Sequence, residues 1–105
     1  MRFLETQIFT SELAGLLDAE EYRRLELALA LRPEQGAVIP GSGGLRKIRW
    51  GASGRGKRGG IRVIYYWDPV EEACYMLFAY PKTEQEDLSP AQLKVLRHLV
   101  QEEFK

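Results

Sequence analysis

The sequence is poor in the residues from which disulfides, metal sites and membrane spans are built. Its 105 residues include one cysteine, Cys74, and one histidine, His98. A single cysteine excludes an internal disulfide and is typical of a reducing compartment, so we expect a cytoplasmic protein. No run of about 18 apolar residues occurs, which predicts no membrane span, and the N-terminal segment lacks the pattern of a secretory signal. Cysteine and histidine are not clustered at metal-ligand spacing, so we expect no metal or other cofactor.

Acidic residues are absent from the middle of the chain. The 15 Lys and Arg balance the 15 Asp and Glu, which gives a formal net charge of zero. No acidic residue occurs between Glu34 and Asp68, whereas residues 43–67 contain seven Lys or Arg. Blocks of like charge often contact nucleic acid, although a lone basic cluster is more often a solvated loop. The position of this block on predicted strands favours a binding site.

The N-terminal part of the chain predicts two helices in a hairpin. A short helix is predicted over 10–17, with Thr10 as its N-cap. Asp18 and Glu21 then form a capping box at the start of a second helix. Pro33 ends this helix, because the residue before a proline is pushed out of the α region.

The remainder of the chain predicts a sheet and a C-terminal helix. Runs rich in β-branched and aromatic residues predict strands at 2–5, 45–50, 61–67 and 73–80. The glycine-rich segment 51–60 predicts a hairpin loop. Ser89, Pro90 and Gln92 mark the start of the last helix. Its apolar stripe comprises Leu93, Leu96, Val100 and Phe104. We therefore predict one α+β domain over 1–105, a small antiparallel sheet with all helices packed on one face.

Alternation along the strands separates basic from apolar side chains. In "GIRVIYYW" the apolar side chains of alternate residues share one face, and Arg62 lies on the other. In "LRKIRW" the apolar pair alternates with Lys47 and Arg49 in the same way. We expect these three basic residues to converge on the face that the helices leave uncovered, with Lys82 just beyond the next strand. Such a cluster repels itself unless an anion binds, which indicates a phosphate site. Exposed there, Arg62 would contribute little to stability.

The sequence offers little support for catalysis by cysteine or histidine, or for a phosphate-binding P-loop. We interpret Cys74 as a core residue and His98 as a surface residue. The glycine-rich segments lack the residue order of a phosphate-binding P-loop. Tyr66 and Tyr80 are candidates either for the core or for stacking on bases.

The basic strands and the segment after them resemble a known family. The run "VIPGSGGLRKIRWGASGRGKRGGIRVIYYW", followed by "MLFAYPKTEQEDLSPAQ", is similar to the HigB branch of the RelE/ParE toxin superfamily, and the resemblance covers most of the chain. RelE-like toxins are small α+β proteins of type II toxin–antitoxin systems that cleave mRNA, mostly on the ribosome. The resemblance therefore implies a cytoplasmic mRNA endonuclease. Its implied partners are the ribosome, mRNA and a cognate helix-turn-helix antitoxin.

The resemblance also implies roles for individual residues. The implied catalytic residues are Lys47, Arg49, Arg62 and Lys82. Beside these, the charge of Arg46, Arg55, Lys57 and Arg58 makes them candidates to bind the RNA backbone, with Tyr66 as a further RNA-binding candidate. A ribose 2′-hydroxyl would attack the adjacent phosphate, with arginines stabilising the growing charge and Lys47 or Lys82 as general base. Thr83 follows Lys82 and no tyrosine occurs after Tyr80. Both features differ from the pattern of the RelE branch, so the base and stacking roles stay open.

Two other functions are compatible with the sequence. ParE-like relatives share the fold but inhibit DNA gyrase, and a non-catalytic RNA-binding module would also use a basic surface. The convergence of four cations favours the nuclease, because a gyrase inhibitor does not require a phosphate-cleaving cluster.

Overall fold

A β-sheet with helices on both of its faces forms the fold. The computed structural model describes residues 1–51 and 60–103. In chain order these residues form β1 (Arg2–Glu5), α1 (Gln7–Leu13), α2 (Ala19–Leu31), β2 (Ala37–Val38), β3 (Arg46–Trp50), β4 (Ile61–Asp68), β5 (Ala73–Pro81) and α3 (Pro90–Glu103). The predicted α+β class is confirmed, and so are the four predicted strands. Most of the predicted hairpin loop lies outside the described residues, as does Phe104.

The strand order of the sheet is β1-β5-β4-β3-β2. The pairs β3–β4 and β4–β5 are antiparallel, as predicted. The first strand instead pairs parallel with β5, and the unpredicted β2 adds a short antiparallel edge to β3. Two residues are too few to show the alternation from which strands are predicted. This order places β4, the strand that carries Arg62, in the centre of the sheet.

The predicted bounds of the first helix, 10–17 with Thr10 as N-cap, are wrong, because α1 spans Gln7–Leu13. The N-cap of α1 is Thr6, whose Oγ1 accepts a hydrogen bond from the Phe9 backbone N at 3.0 Å. The same hydroxyl donates to the Leu77 backbone O at 2.8 Å. A contact with β5 therefore helps to place this cap, and the local sequence does not contain that information.

The caps of the two longer helices are confirmed. Asp18 Oδ1 accepts from the Glu21 backbone N at 2.8 Å, and Glu21 Oε1 accepts from the Asp18 backbone N at 2.9 Å. At the start of α3, Ser89 and Gln92 exchange the equivalent pair of hydrogen bonds. Each box satisfies backbone N–H groups that a helix end otherwise leaves unpaired.

The helices do not all pack on one face of the sheet, so that expectation is wrong. The hairpin face, covered by α1 and α2, has a core that includes Phe9, Leu25, Leu29, Val63, Tyr65 and Met76. The opposite α3 face has a core of Leu45, Ile64, Leu77, Tyr80, Leu96 and Val100. The apolar side chains of β4 that point away from α1 and α2 must also be buried, and α3 packs over them.

A bulge in β5 changes which of its side chains face α3. Leu77 is an extra residue between Met76 and Phe78, which pair with consecutive residues of β4. Leu77 and Phe78 therefore both contact the α3-face core, although neighbours in a regular strand point to opposite faces. Beyond the bulge, Tyr80 lies on the α3 face and pairs with Arg62.

Candidate functional site

Three of the four predicted catalytic residues line one cleft, where β3 and β5 end and β4 begins. The cleft has a volume of about 240 Å³ and is lined by Arg49, Trp50, Gly51, Gly60, Arg62 and Lys82. Arg49 lies directly opposite Arg62 in the β3–β4 pair, and Lys82 follows β5. The fourth residue, Lys47, lies two positions before Arg49 on the same face, roughly 7 Å along the strand. Like charges directly opposite each other in a sheet are destabilising, so an anion bound near Arg49 and Arg62 would reduce their repulsion.

Arg62 is buried, which contradicts the expected exposed side chain. The residue is 4% exposed, and its Nη2 donates to Glu86 Oε2 at 3.0 Å. The buried Nε has no hydrogen-bond partner within the described residues. An unpaired buried donor costs free energy. A hydrogen bond from the Arg62 guanidinium to a further anionic oxygen would therefore be favourable. Its substitution would also affect folding more than that of a surface residue.

Two carboxylates that the sequence analysis did not assign to the site lie against the cations. Glu86 Oε2 is 4.0 Å from Arg49 Nη2 as well as hydrogen-bonded to Arg62. The hydrogen bond from Arg62, with the charges of Arg49 and Lys82 nearby, holds the pKa of the Glu86 carboxyl below its usual value. Lys47 Nζ donates to Asp87 Oδ1 at 2.5 Å, and this contact lowers the pKa of the Asp87 carboxyl. The acidic run "EQED" soon after Lys82 was the available signal.

The segment that carries these carboxylates is anchored to its surroundings. Tyr80 Oη donates to the Glu86 backbone O at 3.2 Å. Gln85 Nε2 donates to the Asp87 backbone O at 2.9 Å and to Gln92 Oε1 at 2.8 Å. Because Gln92 also belongs to the capping box of α3, the start of that helix fixes where the acidic side chains lie.

Of the residues predicted to bind RNA, the two that the structure describes, Arg46 and Tyr66, do not line the cleft. Arg46 lies away from the cleft, because its Nη1 donates to the backbone O of Glu34 at 2.9 Å and of Gly36 at 2.8 Å. Tyr66 packs against the α3-face core and contacts Tyr75, with ring centroids 6.3 Å apart. The remaining three, Arg55, Lys57 and Arg58, lie outside the described residues.

Residues suited to other chemistry are elsewhere. Cys74 is fully buried, and burial raises the pKa of its thiol to about 11, so it is a core residue as predicted. His98 is exposed on α3, also as predicted. Within the described part of the chain, no group of three or more His, Cys, Asp or Glu is placed to hold a metal ion. None of the described helices is both long and apolar enough to cross a membrane.

A family model described as the RelE toxin of the RelE / RelB toxin-antitoxin system matches residues 19–105. The chain belongs to the RelE toxin family. It is therefore the toxin of a toxin–antitoxin system, and the predicted membership of the RelE/ParE superfamily is confirmed. Assignment to the HigB branch stays a prediction. The match covers α2, every strand from β2 onwards and α3, so it includes all residues of the cleft.

The cleft of this RelE toxin is suited to binding a phosphate group. Arg49 and Lys82 are exposed cations, whereas Arg62 is held in place by the sheet. Guanidinium groups bind phosphate oxygens through paired N–H donors, and lysine adds a compact charge. Preorganised cations of this kind stabilise charge that develops on a phosphoryl group.

Proposed function

We propose that this toxin is a ribosome-dependent mRNA endonuclease that inhibits translation. The observation that carries the proposal is the buried Arg62 guanidinium, which lies beside Arg49 and Lys82 in one cleft and whose Nε has no partner in the described part of the chain. Membership of the RelE toxin family supports it. Its partners in this proposal are mRNA, the ribosome and a helix-turn-helix antitoxin, and it acts in the cytoplasm.

In the proposed reaction the RNA supplies its own nucleophile. The ribose 2′-oxygen attacks the adjacent phosphorus and loses its proton to a base, and the bond from phosphorus to the 5′-oxygen of the next nucleotide breaks. That oxygen takes up a proton, which leaves a 2′,3′-cyclic phosphate and a 5′-hydroxyl. Negative charge grows on the non-bridging oxygens during the attack. Arg49 and Arg62 are the groups assigned to stabilise it.

Of the two lysines predicted as general base, Lys82 is the better placed. It lines the cleft, whereas the ammonium of Lys47 is held by Asp87. We therefore assign proton transfer to Lys82, and to Lys47 a supporting role through Asp87. General acid–base groups of this kind typically contribute about 10²–10⁴-fold to the rate.

Mapping of mRNA 3′ ends in a purified translation reaction tests the proposal. Arg62→Lys keeps the charge but loses the planar fork, and we expect cleavage to slow about 100-fold or more. Arg49→Gln changes a side chain that is 72% exposed and should slow cleavage at least about tenfold without unfolding the protein. Arg24→Gln is the matched control, because it removes an exposed cation from α2.

The possible outcomes are distinct. Cuts on translating ribosomes that the two cleft variants weaken, and the control does not, support the proposal. Full cleavage by both folded cleft variants would show that the cleft is not the catalytic site. Ribosome binding without any cleavage would favour the RNA-binding module, and stalled gyrase complexes would favour the ParE-like activity.

A further inference from the structure

The Glu86 carboxylate lies where an anion bound by both arginines would lie. Its Oε2 is 3.0 Å from Arg62 Nη2 and 4.0 Å from Arg49 Nη2, and these arginines are direct partners on adjacent strands. Carboxylate and phosphate oxygens accept hydrogen bonds from guanidinium groups in the same way. A phosphate that uses these donors must therefore compete with Glu86.

The two partners of this ion pair differ in their freedom to move. The Arg62 side chain is 5% exposed and belongs to the central strand, whereas the Glu86 side chain is 49% exposed on a connecting segment. The backbone of that segment is anchored through Tyr80 and Gln85. Displacement of Glu86 therefore requires rotation of one half-exposed side chain, while the arginine and the segment stay in place.

The ion pair leaves the arginine incompletely satisfied. Glu86 accepts from one guanidinium nitrogen, and the buried Nε lacks a hydrogen-bond partner within the described residues. A phosphate presents more acceptor oxygens than the single carboxylate oxygen that contacts Arg62 here. It can therefore accept hydrogen bonds from Arg49 and Arg62 together, whereas Glu86 Oε2 is within hydrogen-bond distance of Arg62 but 4.0 Å from Arg49.

From this geometry we propose that Glu86 is an internal substitute for the substrate phosphate, which RNA must displace from Arg49 and Arg62 in order to bind. The identification of the ligand as RNA rests on the proposed function. Any phosphate anion bound at this site would compete with Glu86 in the same way. In the free toxin Glu86 and Asp87 neutralise part of the charge of the cluster. They therefore oppose the binding of any phosphate group at these arginines.

Binding of an uncleavable RNA tests this proposal. A short 2′-O-methyl oligoribonucleotide is titrated calorimetrically into the wild-type toxin, Glu86→Gln and Glu84→Gln. Glu84 belongs to the same segment but forms no ion pair with a described residue, so its substitution measures the effect of net charge alone. We expect Glu86→Gln to tighten binding about fivefold to tenfold and Glu84→Gln less than about twofold. Equal effects of the two variants, or weaker binding by Glu86→Gln, would overturn the proposal.

A measurement on the wild-type toxin avoids the effects of mutation on folding. The NMR signal of the Glu86 carboxyl carbon should move toward that of a free glutamate when the RNA or inorganic phosphate saturates the site. An unchanged signal at saturation overturns the proposal. Displacement of Glu86 by phosphate in a toxin that cleaves no mRNA would contradict only the proposed nuclease function. Normal cleavage without displacement would contradict only this inference.

Discussion

The face of β4 that contacts α1 and α2 is apolar, whereas its face toward α3 carries a buried arginine. On the hairpin face Val63 and Tyr65 are fully buried, and the Tyr65 hydroxyl is satisfied twice. On the α3 face Ile64 is equally buried, but Arg62 pairs with Glu86, and its Nε has no hydrogen-bond partner among residues 1–51 and 60–103. One strand therefore contributes to two environments, an apolar core and a site in which cations and a carboxylate meet.

This contrast indicates a division between stability and chemistry. Burial of apolar surface on the hairpin face stabilises the sheet, since each fully buried large apolar side chain contributes about 1.5–3 kcal/mol. A cluster of like charges does not stabilise a fold, and clusters of charged groups in a cleft are typical of functional sites. Substitutions on the two faces should therefore separate folding from activity.

The largest expected effect on stability is at Leu25 of α2, which is fully buried in the hairpin-face core. Leu25→Ala should lower the free energy of unfolding by about 2–5 kcal/mol, because it removes buried surface and leaves a cavity. Leu27→Ala on the same helix is the control, since Leu27 is 58% exposed and its substitution should change stability by no more than about 0.5 kcal/mol. Urea unfolding measures both. Similar losses for the two variants would contradict the expectation that burial in the hairpin-face core is what makes Leu25 stabilising.

A smaller effect is expected from two buried tyrosine hydroxyls. Tyr65 Oη donates to the Pro33 backbone O at 2.7 Å and accepts from the Gly36 backbone N at 2.9 Å. Tyr65→Phe leaves that buried N–H unpaired and should cost about 1–3 kcal/mol of unfolding free energy. Tyr80 Oη makes one longer bond to Glu86, so Tyr80→Phe should cost about 1 kcal/mol or less. Chemical denaturation of the two variants compares the faces directly, and an equal or larger loss at Tyr80 would contradict the expectation.

The smallest expected effect concerns the pH dependence of the unfolding free energy, to which Glu86 and Asp87 contribute. The pKa of Glu86 is lowered from 4.5 and that of Asp87 from 3.8 in the folded protein. Each contact therefore stabilises the fold above the unfolded-state pKa, and this stabilisation is lost as the pH falls through the folded-state value. The difference in stability between wild type and Glu86→Gln should be larger near about pH 6 than near about pH 3. Thermal unfolding at both values measures it, and a difference that grows toward acid pH would show that the sign is wrong.

Much of the site follows from short-range patterns. Alternation in "LRKIRW" and "GIRVIYYW" assigns Lys47, Arg49 and Arg62 to one face, and the register Arg49–Arg62 and Lys47–Ile64 agrees with that assignment. The capping boxes that begin at Asp18 and Ser89 were also predicted from the sequence. These features depend on neighbours within four residues, whose geometry the backbone periods determine.

The sequence by itself therefore determined four of the described strands, both ends of α2, the start of α3 and the face on which the cations lie. Only the tertiary structure decided that α3 covers that face, that the bulge at Leu77 turns Tyr80 toward Arg62, and that Glu86 reaches Arg62 across 24 residues of sequence. Each of these depends on how separate elements pack. Local periods specify which side chains share a face, but the charge and burial of that face depend on long-range packing that no local pattern contains.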